Sequence, residues 1–109
     1  MSGMNDYDMR LFVNGQIIRV EIKSSLKCCD VFKFQGIKPE YFDLLVFAFV
    51  DPVQGVVIKT VDGNDFWAWA QNKKSQKQGY DFRVNDTMNH KSVQLTEWAE
   101  DGSLNQMEV

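Results

Sequence analysis

The chain has 109 residues, 44% of them hydrophobic and 25% charged, with a formal net charge of −3. That length holds one domain with a real core and little room for a second, and the composition carries no low-complexity tract or internal repeat. No apolar run approaches membrane-spanning length and the N-terminus lacks the basic and apolar regions of a signal peptide, so the expected location is cytoplasmic with no membrane partner. The acidic balance argues against indiscriminate polyanion binding but leaves room for a local basic strip.

Residues Met1 to Asp6 read as a short polar lead-in. From Tyr7 to Ser25, two runs rich in β-branched and aromatic residues flank Asn14-Gly15, and Asn-Gly between such runs is the strongest short-range signal of a β-hairpin. A two-residue turn fixes the register, opposing Val13 to Gln16, Leu11 to Ile18 and Met9 to Val20. With Ile22, these apolar side chains form one face that can lie on a core. The other face opposes Arg10 to Arg19 and Asp8 to Glu21, with Lys23 one step further along. Two directly opposed carboxylates repel, and a divalent metal between them offsets that repulsion, because hard cations such as Mg²⁺ take carboxylate oxygens. Lys23 would then stand beside the metal as a point charge, an arrangement suited to phosphate chemistry. Glu and Lys alternating on a strand are also the usual way to solvate an outer sheet face.

Asp8, Asn14-Gly15 and Val20-Glu21-Ile22-Lys23-Ser24-Ser25 resemble the Asp…Glu-x-Lys core of the PD-(D/E)XK, or restriction-endonuclease-like, nucleases, which carry an Asp near the start of one strand and Glu-x-Lys on its antiparallel neighbour. The resemblance covers roughly Tyr7 to Val61 and is specific at the hairpin. It implies that Asp8 and Glu21 are ligands of Mg²⁺ or Mn²⁺, that the Ile22 carbonyl is a further ligand, and that Lys23 orients or activates the attacking water. Ser24 and Ser25 resemble the small polar residues that often follow the lysine, and Gln35 stands where some of these nucleases place another polar active-site residue or is simply a solvent-facing side chain. Family members usually begin with a helix packed on the sheet. The short lead-in here implies that this helix comes from a partner subunit, is replaced by a later element, or is lost.

Further along, the adjacent Cys28 and Cys29 cannot easily bridge to each other or support a disulfide framework, which predicts free, partly buried thiols; a zinc site would need more soft ligands than His90 can add. Val31, Lys33 and Gln35 alternate with Phe32 and Phe34, predicting a strand, and Gly36 and Pro39 break the chain. Tyr41 to Val50 is the most apolar stretch and reads as a buried strand. It ends at Asp51-Pro52 and returns as a strand over Gly55 to Val61, with Asp43 and Asp51 as strand-end and turn residues rather than metal ligands.

Asn64 as N-cap and Asp65 in the first turn predict a helix over roughly Asp65 to Lys74, with Trp67 and Trp69 packing on the sheet or stacking on bases. Lys73, Lys74, Lys77 and Arg83 make the most positive part of the chain, either contacting phosphates of DNA or complementing the helix dipole. Tyr80 to Val84 reads as extended, Ser92 to Trp98 as a strand or brief helix, and about residues 100–109 as a loose acidic tail. His90, the sole histidine, has no partner visible in the sequence and is placed in a surface loop.

The expected fold is α/β: one domain over residues 1–109, a mixed sheet of about five strands with one or two helices, restriction-endonuclease-like but lacking the usual leading helix. The expected function is Mg²⁺- or Mn²⁺-dependent hydrolysis of DNA phosphodiesters, with Asp8, Glu21 and Lys23 at its centre. The competing expectation is a nuclease-fold module that binds nucleic acid or a partner protein without cutting. The small size and aromatic excess also allow a homodimer.

Overall fold

The structure is a computed structural model that describes residues 9–71, 73 and 79–97. Among the described residues, seven strands, one α-helix and a 3-10 turn are present, the strands arranged as two facing sheets. In chain order they are β1 (Met9–Val13), β2 (Gln16–Leu26), β3 (Val31–Ile37), the 3-10 turn Pro39–Tyr41, β4 (Leu44–Asp51), β5 (Gly55–Asp62), α1 (Gly63–Ala70), β6 (Tyr80–Asn85) and β7 (Thr96–Glu97). The larger sheet has the order β1-β2-β4-β5-β7 and the smaller pairs β3 with β6. The expected mixed five-stranded sheet is therefore present, with a second, two-stranded sheet that the sequence reading did not separate from it.

The first hairpin has the expected register. Met9 opposes Val20, Arg10 opposes Arg19, Leu11 opposes Ile18 and Val13 opposes Gln16. Asn14 and Gly15 carry φ of 50° and 77°, the left-handed pair of a type I′ turn that these two residues adopt at little cost. On its other side β2 runs parallel to β4, with Glu21 beside Leu45, Lys23 beside Phe47 and Ser25 beside Phe49. Parallel neighbours need a crossover, and the segment between β2 and β4 supplies it by placing β3 across the face of the sheet. β4 and β5 close as the expected antiparallel hairpin.

The main core lies on the side of β2 that carries Glu21 and Lys23, not on the Met9-Leu11-Val20 side that the hairpin alone suggests. Leu45, Phe47 and Phe49 of β4 continue that face, and Phe32, Phe34 and Phe82 of the smaller sheet pack onto it, all of them buried. Phe47 lies 4.4 Å from Phe34 and is stacked at 5.3 Å on Phe82, while Phe32 and Phe34 meet Phe49 edge-on. The opposite face holds a smaller cluster of Val20, Leu44 and Val46 with Leu11, Ile18 and Ile58, and leaves Met9 and Ile22 exposed. The cause is β4: apolar on both faces, it puts its larger residues on the Lys23 side, and the thicker layer forms there.

The helix begins two residues earlier than expected and ends four earlier. Asp62, not Asn64, is the N-cap, its carboxylate accepting the Asn64 N–H at 2.7 Å. The early start is possible because Gly63 presses directly against the chain entering β4, donating its N–H to the Asp43 carbonyl at 2.7 Å. A Cβ at this position would come within 2.9 Å of both the Phe42 and Asp43 carbonyl oxygens. Gly63→Ala is accordingly expected to destabilise the fold by about 1–3 kcal/mol, the range for overpacking a tight site, read as a shift in the urea unfolding midpoint. An unchanged midpoint would show that the two segments can separate freely.

The paired cysteines are exposed, which corrects the expectation of partly buried thiols; they lie in the surface turn between β2 and β3. His90 also differs from its expected role as a partnerless loop residue. Its Nδ1 accepts the N–H groups of Ser92 and Val93 at 3.0 and 3.1 Å, and its ring stacks on Phe82 at 4.4 Å and meets Trp69 edge-on. Burial, followed by the charges of Lys91 and Lys73, holds the imidazole below its ordinary pKa. The unfolded chain therefore takes up this proton at higher pH than the folded one, so stability is lost as pH falls below the ordinary histidine value of about 6.5. His90→Gln is expected to flatten this loss between about pH 6.5 and 5, measured by denaturant unfolding at each pH; an unaltered slope would place the titration elsewhere.

Candidate active site

β2 is the second strand of the larger sheet, paired with β1 over Gln16 to Val20 and with β4 over Val20 to Leu26, so the β4 ladder sets the directions of the side chains from Glu21 to Ser25. Glu21, Lys23 and Ser25 share the core-side face with Leu45, Phe47 and Phe49. The Lys23 ammonium lies 3.1 Å from Glu21 Oε2, with 25% and 14% of the respective side chains exposed. Lys23 is the register partner of buried Phe47 yet keeps a quarter of its side chain exposed, as a long cationic side chain beside apolar surface can. The border of such a surface is a poorer solvent than water, and charge there acts more strongly on whatever binds.

The residues expected around this pair are only partly gathered. Asp8, the carboxylate expected to oppose Glu21, lies outside the described residues, as do Lys74, Lys77 and the tails over residues 1–6 and 100–109. The ladder that leads to Asp8 is present, because Met9 opposes Val20 with no bulge in between. Ser25 is on the Lys23 face, but its hydroxyl accepts the Lys33 N–H at 2.9 Å and so ties β3 to β2. Ser24 and Ile22 point to the opposite face by strand alternation, which leaves the Ile22 backbone carbonyl as its only route to a metal. Gln35 is exposed on the strand side away from buried Phe34. Among the described residues no three His, Cys, Asp or Glu side chains cluster as a metal group.

Two aspartates have the structural roles expected of them. Asp43 accepts the Arg19 backbone N–H at 2.9 Å and takes the guanidinium in a two-pronged pair at 3.1 and 3.2 Å. The hydrogen bonds from the Arg19 side chain, ahead of its backbone N–H and charge, hold the carboxyl below its ordinary value. This fork relieves the opposition of Arg10 and Arg19 and locks the start of β4 to β2. Asp43→Asn is expected to cost less than about 1 kcal/mol, because both side chains are substantially exposed and solvent screens the pair. The cost should vanish as pH falls below the ordinary Asp range, where the lowered carboxyl of the parent protein is also protonated; a cost that persisted in acid would mean the fork is not electrostatic. Asp51, buried at the end of β4, accepts the Val53 and Gln54 N–H groups and pairs with Lys27 at 3.5 Å. It shapes the turn and is spent there.

Of the basic candidates, Lys73 places its ammonium 4.9 Å from the centre of the Trp69 ring. Arg83 stands directly opposite Lys33 on the exposed face of the smaller sheet. Among the described residues neither Lys33 nor Arg83 has an ion-pair partner. Lys33 is a cation that sequence reasoning missed. Its signal was there in the alternation with Phe32 and Phe34, but its partner across the ladder, fifty residues away, was not.

The chain matches no family model and no curated protein. No helix among the described residues is long and apolar enough to cross a membrane.

Proposed function

We propose that this protein is a metal-dependent nuclease that hydrolyses DNA phosphodiester bonds, with Asp8, Glu21 and Lys23 at its active site and a restriction-endonuclease-like arrangement of the first hairpin. The observation that carries this reading is the close pairing of Glu21 and Lys23 at 3.1 Å on one face of β2, where that strand is paired with β4, in the Glu-x-Lys setting and just beyond the antiparallel pairing of β2 with β1. The donor set fits a hard divalent cation: Glu21 and Asp8 would hold Mg²⁺ or Mn²⁺ through carboxylate oxygens, with the Ile22 carbonyl as a further ligand. Bound there, the cation would lower the pKa of a water and neutralise phosphate charge.

The remaining work falls to the chain itself. Lys23, the register partner of Phe47, would donate from its ammonium to the attacking water or to a phosphoryl oxygen, positioning the first and offsetting charge on the second. The Glu21 carboxylate holds that ammonium in place. Exposed Lys33 and Arg83, with Lys73, would contact phosphates along the duplex and position it without reading its sequence.

The test is cleavage of supercoiled plasmid and of single-stranded DNA with Mg²⁺ or Mn²⁺, against EDTA and Lys23→Ala. The expected result is metal-dependent nicking that disappears in the variant; cleavage equally fast in Lys23→Ala would refute the assignment. A second reading, a nuclease-fold module that binds nucleic acid without cutting, is favoured by Trp67, which is 39% exposed on the outer side of α1. DNA binding that is intact in calorimetry, with neither Mg²⁺ nor Mn²⁺ bound and no cleavage, would select it.

A further inference from the structure

Beyond β2 the chain reverses within two residues. Cys28 and Val31 exchange both backbone hydrogen bonds, at 2.9 and 3.2 Å, and between them Cys29 and Asp30 carry φ of 57° and 68°. Two successive positive φ values make a type I′ turn, for which Asn and Gly are the favoured residues. Asp accepts this conformation; cysteine is not adapted to it, and its Cβ is crowded there. Strained backbone at a chemically competent side chain is a feature that points to function. Here it sets the Sγ atoms of Cys28 and Cys29 at 3.9 Å, both exposed.

That separation is far too long for a disulfide, whose sulfurs lie about 2.05 Å apart. It does match a chelate. With metal–sulfur bonds of about 2.3 Å, a tetrahedral angle at the metal separates two sulfurs by about 3.8 Å and a trigonal angle by about 4.0 Å. We propose that Cys28 and Cys29 form an open two-thiolate chelate, short of the closed four-ligand set of a structural zinc centre, for one thiophilic divalent ion of the zinc–cadmium type. Each thiol gives up its proton as one metal–sulfur bond forms, so two protons are released per ion and no oxidant or reductant takes part; water fills the remaining positions. Asp30, in the same turn, adds negative potential.

Binding displaces one proton from each thiol, so occupancy should rise with pH. Soft thiolates discriminate against Mg²⁺, so the chelate is independent of the Glu21–Lys23 site and stands or falls without the nuclease reading.

The test is titration of the reduced 109-residue chain with Cd²⁺, followed by thiolate-to-metal charge-transfer absorption in the ultraviolet. One ion per chain is expected, with apparent affinity reduced at least about tenfold in Cys28→Ser and in Cys29→Ser, since either change turns a chelate into a single ligand. Excess Mg²⁺ should displace nothing from the thiolates. Both serine variants alter exposed side chains, and their circular dichroism should match the parent's. Absence of the absorption, its persistence at parent affinity in either serine variant, or one ion shared by two chains would overturn the chelate.

Discussion

Glu21→Gln is expected to reduce metal-dependent cleavage by at least about 100-fold, the scale on which loss of one preorganised charge at a reacting centre is felt. The substitution keeps the shape of the side chain and removes its charge, so two effects can be separated. As a proposed metal ligand Glu21 loses its negative oxygens, and as the partner of Lys23 it no longer holds the ammonium at 3.1 Å. Stability should change little, by about 1 kcal/mol or less, because the pair lies at the rim of the core and the amide oxygen can still accept from Lys23. The measurement is the cleavage rate at saturating Mg²⁺ alongside the urea midpoint. A large loss of rate at an unchanged midpoint supports a chemical role. Equal rates in Glu21→Gln and the parent would reduce the pair to a solvated stripe on a strand.

Phe47→Ala should have the largest effect on stability, about 3–5 kcal/mol, the cost of truncating a fully buried aromatic residue and leaving a cavity. Phe47 is fully buried at the junction of the two sheets, touching the rings of Phe34, Phe49 and Phe82. Its neighbours come from three strands, so none of them can collapse into the space without shifting a sheet. For a domain of this size the loss is a large fraction of the total. It also removes the large side chain next to Lys23 in register, since the two are partners on β2 and β4. Chemical denaturation measures the first effect; a loss of less than about 1 kcal/mol would contradict the packing described.

The contrast between these two residues shows what could be read before folding. The Asn14-Gly15 turn is local chemistry, and it determined the register of β1 against β2, every observed pair included. Alternation in Phe32-Lys33-Phe34 and the apolar run of β4 likewise determined which elements exist, because each pattern is confined to a few consecutive residues. The Glu21–Lys23 pair belongs to the same class, since residues two apart on a strand must share a face.

Tertiary structure alone decided the rest. Which face of the hairpin meets the main core depended on the parallel pairing of β2 with β4, a contact between segments about 24 residues apart that no local pattern encodes. The same pairing turned Arg19 onto Asp43, and the return of β6 put Arg83 opposite Lys33 and His90 against Phe82. Helix α1 started at Gly63, capped by Asp62 and ahead of the Asn64 cap expected from the sequence, because only a residue without Cβ fits against the Asp43 carbonyl. Local sequence determines turns, periods and faces through sterics over a few residues. The partners of those faces are chosen by burial across the whole chain, where bulky β4 aromatics outweighed the smaller apolar side chains of the hairpin.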